Sequence, residues 1–560
     1  MIKYPDVNDL KQEENIIYKD FETRAEQFVS QMLRGYHAAT YKELKVIHDP
    51  VWGTLKFYPW ELQVLDSPLI QRLRNINQLG LAVSTYPSAH HSRFEHTLGV
   101  ASLVTRMVES INDSDNLKGG GNSIPLSDLY KLRLAAILHD IGHCFFSHLS
   151  EGMYRNTKEF EALKNSFEIF ASAQPHEILG YVIINTPSFK SFFNEQVDYP
   201  YKNEMSLTDS FFDDLGRMIV GAVIDRVYVC DGVKYKKYYL TEMINGQFDA
   251  DSLDYLRRDS YITGLSLTYH IDRFLYKIKI VNRSEQCDGQ EVVAKHLTVS
   301  ASGVSTVEEM VFSKQMLTRY IYQHQKVLAT DALMFDVVAG LRANGKLLHP
   351  CDFLYFCDDD IYKLYDETGD DAFTAPISKK LIHADSSKTI ADAVGQIKTR
   401  SLPKKALVIN MGNIKAIDGK TDFTVFDAFG FLKQAMEDGF RSEIKSAAFD
   451  ICDQNGLDKK KIDLFDIFYS VPKPTTAKNY TDVYVAEGKD IVELSKVADL
   501  NDWADEFSER AWNSYVFSSS ELMPVISLAA KRVLENRGIT FHSDRVFSGL
   551  KHSDEIEKLK

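Results

Sequence analysis

The segment AAILHDIGHCFFSH, residues 135–148, places three histidines and an aspartate inside an otherwise apolar stretch. His139 and His143 are four residues apart, so they would share a face if the segment were one continuous helix. Asp140 adjoins His139 and would point about 100° around the helix from it. Because an unpartnered buried polar group costs on the order of a few kcal/mol, we expect a ligand or hydrogen bonds to satisfy these side chains.

The HDIGH motif has two other interpretations. In the first, the two histidines are hydrogen-bonded residues of the core and have no catalytic role. The other is a zinc peptidase, because HDIGH superficially matches the HExxH motif of that class. The peptidase interpretation lacks the general-base glutamate, and Gly142 stands inside the motif, where a helix disfavours it. This segment alone leaves the alternatives open.

Two further segments supply groups that favour a metal-dependent hydrolytic centre. HHSRFEHTLGV places Arg93 and His96 three residues apart, which puts a phosphate-binding cation beside an imidazole on one helical face. FDADSLDYLRRDSYITG spaces Asp251, Tyr255 and Asp259 at intervals of four, again on one face. The candidate metal ligands are His96, His139, Asp140 and Asp251. Two imidazoles and two carboxylates suit Mn, Fe, Zn or Mg, with open positions for water and a phosphate oxygen.

Amphipathic helices would position these groups. FEHTLGVASLVTRMVESIN and SDLYKLRLAAILHDIG carry apolar residues at spacings of three and four, typical of helices that bury one face. LYKIKIV and KHLTVSAS predict a small β excursion, and short β-like runs such as KALVINM and IFYSV follow past Leu347. We therefore predict a mostly α fold, with a helical core followed by a smaller α+β C-terminal lobe.

Length and composition set the domain organisation and exclude some functions. A chain of 560 residues is too long for one hydrophobic core. We divide it into an N-terminal helical arm (1–40), a helical core (41–346), an α+β lobe (347–520) and a helical tail (521–560). A net charge of −14 argues against nucleic-acid binding, and no apolar run is long enough to predict a membrane span. The charged N-terminus and six scattered cysteines favour a cytoplasmic protein.

The motifs RFEHTLGV, LHDIGHCFFSH and DADSLDYLRRD, in this order, resemble the signature of the HD-domain metal-dependent phosphohydrolases. The resemblance is closest to the dGTPase-like deoxynucleoside triphosphate (dNTP) triphosphohydrolases, whose animal members join a sterile-alpha motif to an HD domain. It covers about Lys45 to Lys326 and continues more faintly into the second lobe. It implies an HD-domain helical core in which four ligands hold a divalent metal. The implied reaction is attack of water at the α-phosphorus, which releases a deoxynucleoside and inorganic triphosphate.

The resemblance also implies roles for side chains around the metal. His143 and His176 would be the acid–base and phosphate-contacting histidines, and Glu177 would orient His143. The implied substrate contacts are Gln78, Arg93, His148, Tyr255, Asp259, Lys314 and Tyr322. In this set Arg93 and His148 would contact the α-phosphate region. The sugar would pack on Tyr255, and its 3′-hydroxyl would be read by Gln78 and Asp259.

Two positions depart from the family pattern. Close relatives follow the ligating aspartate with a lysine that grips phosphate, whereas this chain has Ser252. They use an arginine on the helix that closes the pocket, whereas this chain has Lys314, which lacks the planar fork of arginine. Two alternatives to dNTP hydrolysis therefore stay open, namely hydrolysis of another nucleotide phosphoester and a catalytically weak nucleotide sensor.

The resemblance further implies a nucleotide activator bound at a subunit interface of a homo-oligomer, a dimer or tetramer. The residues that resemble this activator site are Lys45, Val46, Asp66, Arg74 and Arg273. DSPLIQRLR is also an ordinary helix start, and the nearly uncharged HLTVSASGV replaces the basic strand that completes the site in the animal enzyme. The expected small-molecule partner is a dNTP.

Overall fold

The computed structural model describes residues 12–117, 121–201, 209–230, 232–267, 269–287, 289–365, 379–382, 386–437, 439–459, 462–475, 484–487, 490–498 and 500–542. As predicted, the fold is mostly α with smaller β regions. No helix in these ranges is both long enough and apolar enough to cross a membrane.

Helices build a large core from the N-terminal two thirds of the chain. They are α1 (Gln12–Met32), α2 (Pro59–Leu65), α3 (Pro68–Gln71), α4 (Arg93–Asn116), α5 (Leu126–Leu138), α6 (His148–Tyr154), α7 (Lys158–Ser166), α8 (Pro175–Asn185), α9 (Pro187–Gln196), α10 (Asp209–Ile219), α11 (Tyr239–Glu242), α12 (Ala250–Thr263), α13 (Ile271–Lys277), α14 (Val304–Leu317), α15 (Gln325–Ala343), α16 (Asp358–Tyr362) and α17 (Ile390–Lys398). A π-helical turn, Thr318–Tyr322, follows α14.

The first helix belongs to this core and is not a separate arm. Phe21, Phe28 and Val29 of α1 are fully buried, and α1 packs against α7, α8 and α9. An apolar face of this size must be covered by other elements, because leaving it in water costs about 25 cal/mol per Å². The predicted boundary at residue 40 therefore does not separate two packing units.

The C-terminal lobe has its own, smaller core. The helices that build it are α18 (Val425–Ala435), α19 (Phe440–Asn455) and α21 (Met523–Asn536), whereas α20 (Leu500–Ala511) packs through Ala504 into the large core. The lobe's buried cluster runs from Ala406 to Ile539, whereas Leu347, Phe353 and Ile390 pack into the large core. The lobe core therefore begins nearer residue 404 than residue 347. It also takes in α21 from the predicted tail, whose residues 543–560 lie outside the described residues.

The strands of one three-stranded sheet join the two cores. The strands of the described residues are β1 (Lys45–Asp49), β2 (Gly53–Phe57), β3 (Tyr228–Cys230), β4 (Val233–Lys237), β5 (Ile278–Cys287), β6 (Gln290–Ser300), β7 (Lys404–Ile409), β8 (Ile414–Ile417), β9 (Ile467–Ser470), β10 (Tyr484–Glu487), β11 (Asp490–Glu493), β12 (Ser514–Ser518) and β13 (Ile539–Phe541). In the sheet of order β7-β12-β9, Tyr515 and Phe517 pack into the large core and Val516 packs into the lobe core. This alternation is what a strand covered on both faces requires.

The β excursion read from the sequence is an antiparallel hairpin. Strands β5 and β6 pair from Ile278 opposite Val299 to Cys287 opposite Gln290. Strand β10 of the lobe adds to β6 in parallel, with Val485 opposite Val299. The hairpin therefore ties the C-terminal lobe to the helical core that carries the HDIGH segment.

Candidate active site

The HDIGH segment is a helix end and not a continuous helix. Helix α5 stops at Leu138, and the chain then turns through a loop to α6, which begins at His148. Gly142 explains the turn, since a Cβ there would lie 2.1 Å from the carbonyl oxygen of His176. The loop backbone therefore packs directly on α8, and this close approach is open only to glycine.

Four side chains from different elements converge at the end of α5, and we call them the ligand cluster: His96, His139, Asp140 and Asp251. Nε2 of His96 lies 2.9 Å from Oδ1 of Asp251 and 3.3 Å from Nε2 of His139. Oδ1 of Asp140 lies 3.3 Å from Nε2 of His139, and its Oδ2 lies 3.8 Å from Nε2 of His96. The structure thus brings together the residues that the sequence predicted as metal ligands.

An acceptor holds the other ring nitrogen of each imidazole in the ligand cluster. Nδ1 of His96 donates to Oδ2 of Asp254 at 2.7 Å, and Nδ1 of His139 donates to the carbonyl oxygen of Ala136 at 2.7 Å. Both Nε2 atoms therefore face the cluster, as metal-binding histidines require. Atoms of His96, His139 and Asp140 that could bind a metal lie within 4.8 Å of one another, and this donor set fits a divalent cation.

The charges in the ligand cluster favour a cation at its centre. Burial lowers the pKa of His96, but hydrogen bonds to Asp251 and Asp254 outweigh it and raise that pKa to about 10. Burial raises the pKa of Asp140, but the Arg93 guanidinium and neighbouring imidazoles hold it well below its usual range. The surroundings thus keep Asp140 ionised and favour positive charge at His96, where a bound metal ion would replace the proton.

A second group of side chains lies beside the first, and we call it the Glu151 cluster: His143, His148, Glu151 and His176. Oε1 of Glu151 lies 2.8 Å from Nδ1 of His148, 2.9 Å from Nδ1 of His176 and 3.5 Å from Nδ1 of His143. The rings of His143 and His176 stack with centroids 3.8 Å apart. Nε2 of His143 reaches to 3.3 Å from Oδ1 of Asp140, so the two clusters meet at this pair.

The histidines of the Glu151 cluster differ in their affinity for protons. Burial and the positive charges of Arg93 and His176 hold the pKa of His143 well below its usual range. Burial lowers the pKa of His176, but the Glu151 carboxylate outweighs it and raises that pKa. His143 is therefore neutral near pH 7, with a ring nitrogen lone pair available, whereas His176 is suited to hold a proton.

Glu177 does not orient His143. Its Oε2 accepts a hydrogen bond from the backbone N–H of Gln174 at 2.7 Å, where it caps the start of α8. Glu151 contacts His143 instead, and the sequence analysis did not single it out. The spacing of Glu151 could have identified it, because it lies three residues after His148 in HLSE and so on the same face of a helix.

A cavity of about 980 Å³ opens beside both clusters. Arg93 lies in its wall with Nη1 3.0 Å from Oδ2 of Asp140 and Nε 3.1 Å from Oγ of Ser147. Lys314 and Ser252 also line it, and burial lowers the pKa of Lys314. His148 lines it too, although 62% of its side chain is exposed.

Residues predicted to read the sugar lie together in another part of the cavity wall. The Tyr322 hydroxyl donates to Oδ2 of Asp259 at 2.7 Å, and Nε2 of His91 lies 2.8 Å from Oδ1 of the same carboxylate. Gln78 and Tyr255 line the cavity beside them, and Oε1 of Gln78 is buried without a hydrogen-bond partner among the described residues. His91 is a second residue of this site that the sequence analysis missed.

The residues predicted to form an activator site are not joined to one another. Lys45 and Val46 lie exposed on β1, and Arg273 lies exposed on α13. Asp66 accepts a hydrogen bond from the Tyr41 hydroxyl, and the Arg74 guanidinium stacks 3.7 Å above the Phe94 ring. Within the described ranges, no hydrogen bond or ion pair links any two of the predicted activator residues.

Comparison with known proteins identifies a family match and several distant relatives. The HD domain family model matches residues 93–190. The chain is 27% identical over 316 residues to the deoxynucleoside triphosphate triphosphohydrolase SAMHD1 of Bos taurus, with 54% of this chain and 48% of that protein covered. It is 26% identical over 304 residues to the Homo sapiens protein of the same name, with 54% and 45% covered.

An archaeal relative matches to a similar degree. The chain is 26% identical over 292 residues to an uncharacterized protein of Methanocaldococcus jannaschii, with 52% of this chain and 48% of that protein covered. The chain thus spans about half the length of the curated relatives it matches. The family match at 93–190 includes all of the Glu151 cluster and every member of the ligand cluster except Asp251. We conclude that residues 93–190 form an HD domain, in a chain whose relatives include deoxynucleoside triphosphate triphosphohydrolases.

Proposed function

We propose that this protein is a metal-dependent phosphohydrolase that cleaves dNTPs at the α-phosphorus into a deoxynucleoside and inorganic triphosphate. One observation carries the proposal: the ligand cluster and the Glu151 cluster meet where Nε2 of His143 lies 3.3 Å from Oδ1 of Asp140. A cation site and a proton-carrying group therefore border the same cavity of about 980 Å³, which is large enough for a nucleotide.

The ligand cluster supplies the metal site of the proposed enzyme. His96, His139, Asp140 and Asp251 would hold a divalent ion, which when bound polarises phosphate oxygens and lowers the pKa of water. Arg93 would neutralise charge on the α-phosphate, since its guanidinium already lies beside Asp140 at the cavity wall. His148 and Lys314 would contact the phosphate chain.

The Glu151 cluster supplies the proton transfers. Water attacks the α-phosphorus and loses a proton to His143, whose lowered pKa keeps it neutral before the reaction. The bond between the α-phosphorus and the 5′-oxygen breaks, and His176 donates a proton to that oxygen. Glu151 orients His176 and stabilises its protonated form, and the same carboxylate oxygen lies 3.5 Å from Nδ1 of His143.

The sugar side of the cavity supports a deoxynucleotide substrate. Asp259 is held between His91 and Tyr322, so its position is fixed before substrate binds. Oε1 of Gln78, which has no hydrogen-bond partner in the described part of the chain, would accept from the 3′-hydroxyl. Tyr255 would pack against the sugar and leave little room for a 2′-hydroxyl.

The resemblance to the dNTP triphosphohydrolases also suggests how this protein is regulated and how it assembles. We propose that a nucleotide activator binds the surface that carries Lys45, Val46, Asp66, Arg74 and Arg273 in a homo-oligomer. Val46 supports this role, because 59% of its surface is exposed on a strand edge where an apolar side chain gains from being covered. Activity with single dNTPs and with dNTP mixtures containing GTP would differ if this activator is required.

The direct test is product analysis by ³¹P NMR with Mn²⁺ or Mg²⁺. Each dNTP is supplied alone, and then all four are supplied with GTP. Inorganic triphosphate and deoxynucleoside should appear, and both should be absent with the Asp140→Ala variant. If no mixture yields triphosphate although the protein binds Mn²⁺, the dNTP assignment is wrong. Ser252 and Lys314 would then direct the search to other nucleotide phosphoesters, because each departs from the triphosphate-binding pattern.

A further inference from the structure

Two hydrogen bonds connect the tip of the β1–β2 hairpin to the ligand cluster. The indole Nε1–H of Trp52 donates to Oδ1 of Asp254 at 2.5 Å. The other oxygen of that carboxylate accepts from Nδ1 of His96 at 2.7 Å. Only one buried carboxylate thus separates a half-buried tryptophan outside the cavity from an imidazole that faces the metal site.

We infer that Trp52 is a positioning residue for the metal centre, acting on His96 through Asp254. The inference rests on the metal centre of the proposed function, and it concerns an element that the reaction itself does not use. Its physical basis is that an outer hydrogen bond fixes the orientation and basicity of a metal-binding histidine.

We call the path Trp52–Asp254–His96 the relay, and further contacts hold its middle residue, Asp254, in place. Arg258 donates to both oxygens of Asp254, from Nε at 2.7 Å and from Nη2 at 3.0 Å. Asp254 is fully buried, and Gly99 of α4 makes room for it, since a Cβ there would lie 1.9 Å from Oδ1. A carboxylate in this position has no water to replace a lost donor, so the Trp52 hydrogen bond matters more than it would at the surface.

The hairpin tip is fixed to the same network by a second path. Asp49 accepts from the backbone N–H groups of Val51 and Trp52 at 2.9 and 2.8 Å, and from Nη1 of Arg258 at 2.8 Å. The Trp52 ring is flanked by the guanidinium groups of Arg106 and Arg257, 5.3 and 5.0 Å from its centroid. These contacts fix the direction of the indole N–H.

The relay also sets the position of a second ligand. Asp254 and Arg258 lie on α12, the helix that carries Asp251, so the hairpin tip holds this helix against α4. A loss of the Trp52 hydrogen bond should therefore loosen both His96 and Asp251. We expect weaker metal binding without any change in the residues that contact the metal.

A matched pair of tryptophans makes the inference testable. Trp60 is buried in the same core, but its Nε1 has no hydrogen-bond partner among the described residues. Trp52→Phe and Trp60→Phe each remove one indole N–H and shrink the ring, and only the first breaks the relay. Trp52→His keeps a ring N–H and serves as the rescue variant.

The measurement is the Kd for Mn²⁺ by EPR titration of the full chain, alongside the melting temperature in EDTA. We expect Trp52→Phe to weaken Mn²⁺ binding about tenfold, the low end of the range for groups bonded directly to a metal-binding histidine, because Trp52 acts on His96 through Asp254. Trp60→Phe should leave the Kd within about twofold even where its melting temperature falls, and Trp52→His should recover most of the lost affinity.

Each other outcome overturns a definite part of the account. If Trp52→Phe and Trp60→Phe change the Mn²⁺ affinity equally, or Trp52→Phe leaves it unchanged, Trp52 has no positioning role and the proposed function is untouched. If the wild-type protein binds no Mn²⁺, the metal centre is wrong and the relay falls with it. If Mn²⁺ binding responds as expected while no dNTP is cleaved, the relay stands and the proposed reaction is wrong.

Discussion

The ligand cluster and the Glu151 cluster use the same side-chain types but hold them differently. In the ligand cluster, Nδ1 of each imidazole donates to a fixed acceptor, Asp254 or the carbonyl oxygen of Ala136. In the Glu151 cluster, three imidazoles approach one carboxylate oxygen, and neither nitrogen of His143 makes a hydrogen bond within the described residues.

This difference separates binding a cation from moving a proton. A metal site needs imidazoles whose orientation and tautomer do not change, and outer acceptors provide that. A proton carrier needs a ring nitrogen that is not committed to a fixed partner, and His143 has only the longer contacts of 3.3 Å to Asp140 and 3.5 Å to Glu151. The protein thus divides the two tasks between neighbouring clusters that share only the contact between His143 and Asp140.

The largest expected effect comes from breaking the ligand cluster. Asp140→Ala should reduce dNTP hydrolysis by about 10³-fold or more, because it removes a metal ligand and leaves the buried Arg93 guanidinium without its partner carboxylate. The measurement is initial rate at saturating Mn²⁺. The matched control is Asp213→Ala, whose carboxylate pairs with Arg217 on α10 outside the cavity. Equal activity in the two variants would contradict the assignment of the ligand cluster.

Breaking the Glu151 cluster should have a smaller effect. Glu151→Gln should lower kcat about 100-fold with little change in KM, because the histidines lose their shared anion but the phosphate contacts remain. Glu177→Gln is the control, since Glu177 caps α8 and does not contact His143. A larger loss of kcat in Glu177→Gln than in Glu151→Gln would restore the sequence-based assignment.

The pair of Glu151 and His176 should make the stability of the fold depend on pH. Glu151 raises the pKa of His176, so their attraction contributes fully below the usual histidine value of about 6.5 and is lost as pH rises through the raised pKa. The melting temperature of the metal-free wild type should exceed that of Glu151→Gln most between about pH 5 and 6.5, and the difference should shrink at higher pH. In a His176→Asn background this slope should disappear; a slope that persists would assign it to another group.

The smallest expected effect concerns the phosphate side of the cavity. Lys314→Arg should lower KM for a dNTP about threefold at constant kcat, because the guanidinium fork binds phosphate oxygens in pairs and stays charged when buried. Lys326→Arg is the control, since Lys326 donates to the carbonyl oxygen of Pro403 and does not line the cavity. An unchanged KM would show that Lys314 does not contact the triphosphate.

The sequence was sufficient to find the residues whose spacing repeats along helices. Arg93 and His96 lie on α4, and Asp251, Tyr255 and Asp259 lie on α12, as the intervals of three and four predict. The mostly α architecture and the β5–β6 hairpin were readable for the same reason, because the apolar periodicity of each element is strong.

The remainder depended on contacts between elements far apart in the sequence. Gly142 was visible as a residue that helices disfavour, but the close packing of its backbone on α8, which follows the end of α5, appears only in the fold. Asp254 and His91 bind His96 and Asp259 from other elements, so their roles appear only when the helices are packed. The boundary at residue 347 was misplaced because the segment up to α17 packs into the large core although its composition resembles the lobe.

The most direct test of the division between the clusters is Mn²⁺ binding to the wild type, Asp140→Ala and Glu151→Gln, followed by EPR, with dNTP turnover measured on the same samples. The account predicts that Asp140→Ala loses both Mn²⁺ binding and turnover. It predicts that Glu151→Gln binds Mn²⁺ with the wild-type Kd and loses turnover alone. If Glu151→Gln loses Mn²⁺ affinity as Asp140→Ala does, the two clusters form one metal site and their separate roles are contradicted.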